Sequence, residues 1–342
     1  MSKPRVAVIG AGYFGRFHHE AWSRMREVHC AASVDTDIKA AKSAAADYEF
    51  TMTFPDVATM LADFKPDIVD ITSPPSTHLE LIQQIAGTGA AIQCQKPFCN
   101  SLAEAREAVE FIEANNLTVS IHENFRYQPW HRQIKAILDK GLLGEIYQAT
   151  FYFRPGDGQG PDAYLDRQPY FQKMERFLIH ETAVHQIDLF RFFFGEPSTV
   201  FASLIRLNPA IAGEDAGMII LDYDSGLRTV FDGNRLVDHK AENTRRTMGE
   251  FRIEGSNGTL HLDGDAKISL RWHGAQEEVE HPYEWNDNLF GGDCVYETCR
   301  AFLRHVQQGK PLENSAAEYL RNLEIEEAVY RSNEEGRWID LK

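Results

Sequence analysis

The sequence predicts an α/β domain with a doubly wound parallel sheet over residues 1–123, followed over 124–342 by an α+β domain built on a large, mainly antiparallel open sheet. Three observations lead there. Up to residue 123, short apolar runs alternate with helical stretches, the pattern of parallel strands covered by helices on both faces. The first apolar run feeds directly into a glycine-rich turn. Beyond residue 123 the alternation gives way to strand-like runs separated by turn residues, as in antiparallel sheets. A chain of 342 residues is long enough for two separate cores.

In the first segment, strands are expected at 5–9, 29–34, 68–71, 90–93 and 117–121, with helices around 14–25, 37–47, 55–63, 76–87 and 101–115. The β-branched run Arg5-Val6-Ala7-Val8-Ile9 enters Gly10-Ala11-Gly12-Tyr13-Phe14-Gly15, a G-x-G-x-x-G turn opening a helix. Gly10 permits the tight turn, Gly12 lets backbone approach a pyrophosphate, and Gly15 lets helix and strand pack closely. The helix N-terminus attracts phosphate charge. Asp35 follows Gly10 by 25 residues at the end of the next apolar run, a spacing that suits a ribose-binding carboxylate. Asp35 could instead cap the next helix. Ser101-Leu102-Ala103-Glu104 reads as a capping box.

In the second segment, a helix near 129–140 ends at Gly141, and strands are expected at 145–153, 198–207, 215–222, 227–233, 250–254, 258–262, 267–272 and 277–281. Asp224-Ser225-Gly226, Gly255-Ser256-Asn257-Gly258 and Asp263-Gly264 supply turns. One helix over 181–194 interrupts the strands, and two more, at 292–308 and 315–335, close the chain. Residues 154–176 form a long loop rich in arginine and tyrosine. It reads either as an ordered active-site wall or lid, or as a surface excursion or subunit-contacting arm.

A formal net charge of −16 argues against nucleic acid or an anionic membrane as partner. No apolar run approaches the roughly 20 residues of a membrane span, and the N-terminus leads almost at once into the first strand. The cysteines, Cys30, Cys94, Cys99, Cys294 and Cys299, are odd in number and form no C-x-x-C pair, as expected of reduced thiols in a cytoplasmic protein.

In an open parallel sheet the ligand lies at the carboxyl ends of the strands. Three polar connections fall there: Thr72-Ser73-Pro74-Pro75-Ser76-Thr77-His78, Gln95-Lys96-Pro97-Phe98 and His122-Glu123-Asn124-Phe125-Arg126-Tyr127. Glu181, His185 and Asp188 share one face of the 181–194 helix at i, i+4 and i+7. The H-E-x-x-x-H spacing differs from the zinc helix H-E-x-x-H, so no metal is expected. A carboxylate one turn from a histidine can orient it, which makes His185 a candidate general acid/base.

The glycine turn, Ser73–His78, Lys96-Pro97, Asn124, Arg126, the helix with His185 and Asp188, and the ending Tyr319-Leu320-Arg321-Asn322-Leu323 through Gly336-Arg337-Trp338 together resemble the glucose–fructose oxidoreductase / inositol dehydrogenase / rhizopine-catabolism (Gfo/Idh/MocA) family over nearly the whole chain. The resemblance implies a Rossmann domain, then a substrate domain whose open sheet face serves oligomerisation, in a homodimer or homotetramer. The family's E-K-P lysine falls on Lys96, with Gln95 in place of the glutamate, and its D-x-x-x-H pair falls on Glu181 and His185. It implies catalytic roles for Lys96, His185 and Glu181. The expected cofactor site comprises Gly10, Gly12, Tyr13, Phe14, Gly15, Asp35, Ser73, Pro74, His78, Gln95, Lys96, Pro97 and Asn124. The expected substrate site comprises Lys96, Glu123, Arg126, Arg154, Tyr164, Arg167, Glu181 and His185.

The reaction implied is hydride transfer from a secondary hydroxyl of a sugar, sugar acid or cyclitol to NAD, with His185 as base and Lys96 polarising the hydroxyl. The alternative is NAD-dependent glycoside cleavage through transient oxidation and elimination. Asp35 favours NAD over NADP because a carboxylate repels a 2′-phosphate. Arg126, Arg154, Arg167, Lys173 and Arg176 either serve an acidic sugar or are structural. Tyr152, Tyr164 and Tyr170 either stack on a sugar or simply pack.

Overall fold

The computed structural model describes residues 3–342. Its Cα packing divides the chain into two units: the chain up to Tyr127 with Asp293–Arg321, and Gln128–Gly292 with Asn322–Lys342. The expected single divide after residue 123 does not anticipate the return of 293–321 to the first unit.

The first unit opens with β1 (Arg5–Ile9), α1 (Gly15–Ser23), β2 (His29–Val34), α2 (Ile38–Asp47), β3 (Met52–Phe54), α3 (Val57–Asp63), β4 (Ile68–Ile71), α4 (His78–Ile85), β5 (Ala91–Gln95), α5 (Leu102–Ala114) and β6 (Val119–His122). All strand pairs are parallel, in the order β3-β2-β1-β4-β5-β6. The order in which successive strands are added reverses between β1 and β4, and the crevice outside their carboxyl ends is where such sheets take ligands. β4 and β5 are buried at every position, as a sheet covered on both faces requires. Asp37 and Asp56 cap α2 and α3 by accepting the amides of Lys39 and Thr59. Ser101 caps α5 as expected, but Glu104 reaches back to the Asn100 amide rather than to Ser101. The strand β3 was not expected from sequence.

The second unit contains α6 (Pro129–Asp139), β7 (Ile146–Phe153), α7 (Val184–Phe194), β8 (Thr199–Ile205), β9 (Ala216–Asp222), β10 (Arg228–Asn234), β11 (Gly249–Gly255), β12 (Gly258–Leu262), β13 (Ile268–Trp272) and β14 (Val279–Glu280). α8 (Cys294–Gln308) belongs to the first unit, where it packs on α1, β5 and β6. The unit division falls inside α9 (Ala316–Glu335), and β15 (Ile339–Asp340) ends the chain. The nine-stranded sheet runs β14-β13-β12-β11-β7-β10-β9-β8-β15 and is antiparallel apart from β7 with β10. Alternation sends Phe151, Phe231, Phe251, Ile253, Ile219 and Leu221 to one face, all buried. Phe190 and Phe193 of α7 meet Phe251 with ring centroids 6.0 and 5.9 Å away. Each such ring contributes about 1.5–3 kcal/mol by burial.

The 154–176 segment is ordered. Ala163, Tyr164, Phe171, Phe177 and Ile211 form a small core of their own, with a short 3-10 turn at Pro169–Lys173. Among the described residues no helix is long and apolar enough to cross a membrane. Cys94, Cys99, Cys294 and Cys299 are buried free thiols, and the side chain of Cys30 lies outside the described residues.

Candidate active site

Each unit carries a polar cluster at the positions the sequence singles out. In the first, Gly10 adopts φ +103°, and a Cβ there would lie 2.8 Å from the Ser73 amide nitrogen. A Cβ on Gly15 would lie 2.4 Å from the Gly10 carbonyl oxygen, whereas one on Gly12 would meet nothing within 4 Å. Gly10 and Gly15 are thus required by the protein's own packing. The space above Gly12 fits a dinucleotide's pyrophosphate. α1 has no side-chain cap and no acid in its first turn, so its positive end is left for an anion. Asp35 does not cap α2, which is the work of Asp37. Its two carboxylate oxygens accept the amides of Ala11 and Asp37, each at 2.8 Å, tying the glycine turn to the end of β2. Each oxygen keeps a second lone pair for a ribose hydroxyl. Tyr13 and Phe14 lie within the turn, Tyr13 exposed.

Past β4, the Ser73 hydroxyl bonds Thr77, and Pro74 precedes a single 3-10 turn. His78, expected at the cofactor, is wholly buried. Its ring nitrogens face the carbonyls of Phe98 and Ser73, both at 2.9 Å, so it clips two strand-end connections together. Burial lowers its pKa.

Past β5, Gln95 is fixed at both ends. Its Oε1 accepts the Lys96 amide at 2.7 Å, and its Nε2 lies 2.8 Å from His18 Nε2. His18 Nδ1 lies 2.7 Å from Asp70, which also accepts Trp22 Nε1 at 2.6 Å. The Lys96–Pro97 peptide is cis.

Past β6, Glu123 is fully enclosed rather than open to substrate: its carboxylate accepts the Phe125 amide at 3.2 Å and the Tyr319 hydroxyl at 3.4 Å. Burial raises its pKa to about 7, against the lowering charge of Lys96 and Arg126. Asn124 is 2% exposed, and its Nδ2 has no partner among the described residues, a buried donor suited to a ligand acceptor. Arg126 pairs with Glu318 at 3.3 Å.

Among the described residues, the one grouping of metal-ligating types is His18, His122 and Cys299, buried with donor atoms within 4.8 Å of one another. His18 Nε2 is taken by Gln95, and Cys299 Sγ lies 3.2 Å from Gln93 Oε1. The grouping is hydrogen-bonded core. A groove of about 790 Å³ lined by Arg5, Lys65, Thr88, Thr118 and His305 lies at the amino-terminal ends of the strands. It is away from the ligand edge, and Arg5 there pairs with Asp67.

In the second unit, the expected helix over 181–194 is two pieces. Leu178–Ala183 is a π-helical turn, and α7 starts at Val184. Such turns are frequent at functional sites. Glu214, from the β8–β9 connection, accepts the amides of Phe177 and Ile179, both at 3.1 Å, satisfying the turn's open N–H groups. Glu181 thus sits on the π turn and His185 on the first turn of α7, with a different angular offset from a continuous α-helix. His185 is 4% exposed. Asp188 accepts Asn322 Nδ2 at 2.7 Å, which makes it structural.

The residue that sequence reasoning missed is Arg235. It is fully enclosed and ringed by Phe153, Tyr164, Phe171 and Phe177, with centroids 4.6–5.7 Å from the guanidinium carbon. It donates to Asp157 at 3.1 and 3.2 Å and to Thr182 at 2.9 Å, and lies 3.5 Å from Glu181. Thr182 in turn donates to the Glu181 carboxylate. Tyr164 packs in the small core with its hydroxyl on Asp157, and Arg167 pairs with Asp157 at 3.2 Å. Arg154 pairs with Asp232 and Arg176 with Glu327. Every arginine offered for an acidic substrate therefore has a carboxylate partner within the protein.

Strand order, glycine turn and strand-end acid define the first unit as a dinucleotide-binding fold. Residues 4–123 match a family described as "Oxidoreductase family, NAD-binding Rossmann fold" and residues 131–261 match its "GFO/IDH/MocA C-terminal domain". The chain belongs to this Gfo/Idh/MocA oxidoreductase family, as its motifs suggest. It is 30% identical to a D-apiose dehydrogenase of Paraburkholderia graminis, across 98% of this chain and 89% of that protein. It is 24% identical to an inositol 2-dehydrogenase of Rhizobium meliloti, across 98% and 99%. A solved oxidoreductase from Agrobacterium radiobacter, in complex with NAD+, L-tartaric acid and magnesium, superposes with TM-score 0.89 at 27% identity, covering 99% of both chains.

Proposed function

We propose that the chain is an NAD-dependent dehydrogenase that oxidises a secondary hydroxyl of a sugar or cyclitol. The observation that carries this reading is the open cradle over Gly12, beside an uncapped helix N-terminus and the Asp35 carboxylate. NAD supplies the hydride acceptor when bound. The Lys96 ammonium holds the substrate oxygen and stabilises the negative charge that develops there, and His185 takes the hydroxyl proton. Glu181, held by Thr182 and Arg235, grips a neighbouring hydroxyl or orients His185. The D-apiose and inositol dehydrogenases among the relatives support a polyol substrate. The carboxylate partners on Arg126, Arg154, Arg167 and Arg176 favour a neutral polyol over a sugar acid. Asp35 favours NAD over NADP.

The test is reduction of NAD, and separately NADP, with a panel of aldoses, cyclitols, uronic acids and glycosides. We expect NADH to form with an aldose or cyclitol. Lys96→Met and His185→Ala should each abolish turnover while NAD still binds. Near-normal turnover in both variants, or glycoside cleavage without NADH, would overturn the reading. We also propose a homodimer or homotetramer joined through the open sheet face, where Tyr152 and Met218 stand exposed. A monomer in analytical ultracentrifugation would refute it.

A further inference from the structure

We propose that the carboxyl group working with Lys96 in this chain is Glu123, supplying the negative charge that position 95 does not carry. The inference rests on the reading of Lys96 as the residue that polarises the substrate hydroxyl.

Position 95 is neutral, and its orientation is forced. The Lys96 amide can only donate, so the atom 2.7 Å from it must be the carbonyl oxygen of Gln95. The other end of the amide is then the NH2 group, and it donates to His18 Nε2. That nitrogen must carry a lone pair, so the proton of His18 is on Nδ1 and is donated to Asp70. Asp70, receiving His18 and Trp22 on one oxygen, ends a one-way series of donors. A carboxylate at 95 would break the series, because it could not donate to His18. Gln95 is a lock on the Lys96 backbone and offers the ammonium no charge.

Glu123 is placed to do so. β5 and β6 are parallel and end on the paired residues Gln95 and His122, so Lys96 and Glu123 are the residues that follow on two neighbouring strands. Glu123 is fully enclosed. The groups facing it are the Lys96 ammonium past β5, the Arg126 guanidinium from its own connection, the Tyr319 hydroxyl from α9 and the Cys294 thiol from α8. Arg126 is shared with Glu318 and the thiol is held protonated by burial, which leaves Lys96 the foremost opposing charge. Burial brings the carboxyl's titration to about 7, so near neutral pH it passes between a proton-bearing and an ionised state. The ionised state sets a negative charge against the Lys96 ammonium, the group that donates to a hydroxyl oxygen. Glu123 acts through Lys96 and is a positioning residue.

The test reads the lysine directly and needs no substrate. The acylation rate of Lys96 by acetic anhydride is followed against pH by peptide mass spectrometry on the NAD-free full-length protein. In Glu123→Gln the lysine loses its anionic neighbour, so its labelling near pH 8 rises about tenfold. An unchanged Lys96 profile in Glu123→Gln would overturn the proposal. Should that variant fail to fold, Glu123→Asp decides: its shorter side chain draws the carboxylate back from the ammonium, so Lys96 labelling near pH 8 should rise, and an unchanged profile overturns the proposal. If no polyol is oxidised but the lysine responds as stated, the dehydrogenase reading fails and the Lys96–Glu123 pairing stands.

Discussion

Alanine at Gly12 and alanine at Gly15 separate two roles that the glycine turn combines. A methyl group on Gly15 would lie 2.4 Å from the Gly10 carbonyl oxygen and 2.9 Å from Thr72 Oγ1, so backbone must shift. Overpacking of this kind costs about 1–3 kcal/mol. Gly15 is the first residue of α1, and alanine's better helix propensity offsets up to about 1 kcal/mol. From a mid-range cost of about 2 kcal/mol the full offset leaves a net loss of about 1 kcal/mol, and each kcal/mol lowers the melting temperature by about 2–4 °C in domains of this size. At Gly12 the same methyl meets no protein atom within 4 Å, so folding is untouched. The overpacking is transferred to the bound dinucleotide, where about 1–3 kcal/mol means roughly 5–150-fold weaker NAD binding. Thermal melts and fluorescence titrations with NADH on both variants measure the two quantities separately. The reasoning fails if Gly12→Ala binds NADH as tightly as the parent, or if it melts as early as Gly15→Ala.

Arg235→Met leaves the part-buried Asp157 with only Arg167 as a cation, and breaking the pair this way should cost about 3 kcal/mol in urea unfolding, the low end for a buried pair. Adding Asp157→Asn should recover part of that loss, whereas strictly additive losses would contradict the pairing. Burial pulls the Asp157 pKa up, but Arg235 and Arg167 outweigh it and hold it below 3.8. Its contribution is therefore full above the unfolded value and lost as pH falls through the lower folded one. Asp157→Asn should accordingly flatten the acid limb of the stability profile, and an unchanged limb would argue against it. Burial pushes the Cys99 thiol up to about 12 and holds Cys94 and Cys294 well above the usual thiol range, so none should react with iodoacetamide in the native protein. Labelling of these positions before unfolding, read by mass spectrometry, would show that they are not enclosed.

Much of the first unit was legible because its signals are local. The glycine turn, the β-branched run before it and the acid at 35 each state a backbone or charge requirement within one supersecondary unit. The strand β3 was not, since three residues with exposed, intermediate and buried side chains carry no usable period. The π turn at Leu178–Ala183 escaped for a related reason. Six residues cannot separate its wider winding from an α-helix, and what stabilises it is a glutamate more than thirty positions away. The amphipathic pattern of α8 announced a buried face without naming the sheet that covers it, so the return of 293–321 to the first unit stayed hidden.

The two departures from the family's motif show where sequence reasoning stops. Reading Gln95 and Glu181 off the chain identifies a missing charge and an added methylene, but neither has a consequence until its partners are known. For Gln95 the partners are His18 of α1 and the peptide that follows it, with Asp70 of β4 fixing His18 in turn, and together they leave its amide one orientation. For Glu181 the partner is Arg235, which reads in sequence as one more charged residue at a strand end. Only the fold gathers Phe153, Tyr164, Phe171 and Phe177 around it, and a guanidinium so enclosed requires carboxylates. Asp157 meets that requirement directly and Glu181 lies within 3.5 Å, so the longer side chain at 181 is explained by the cation it reaches.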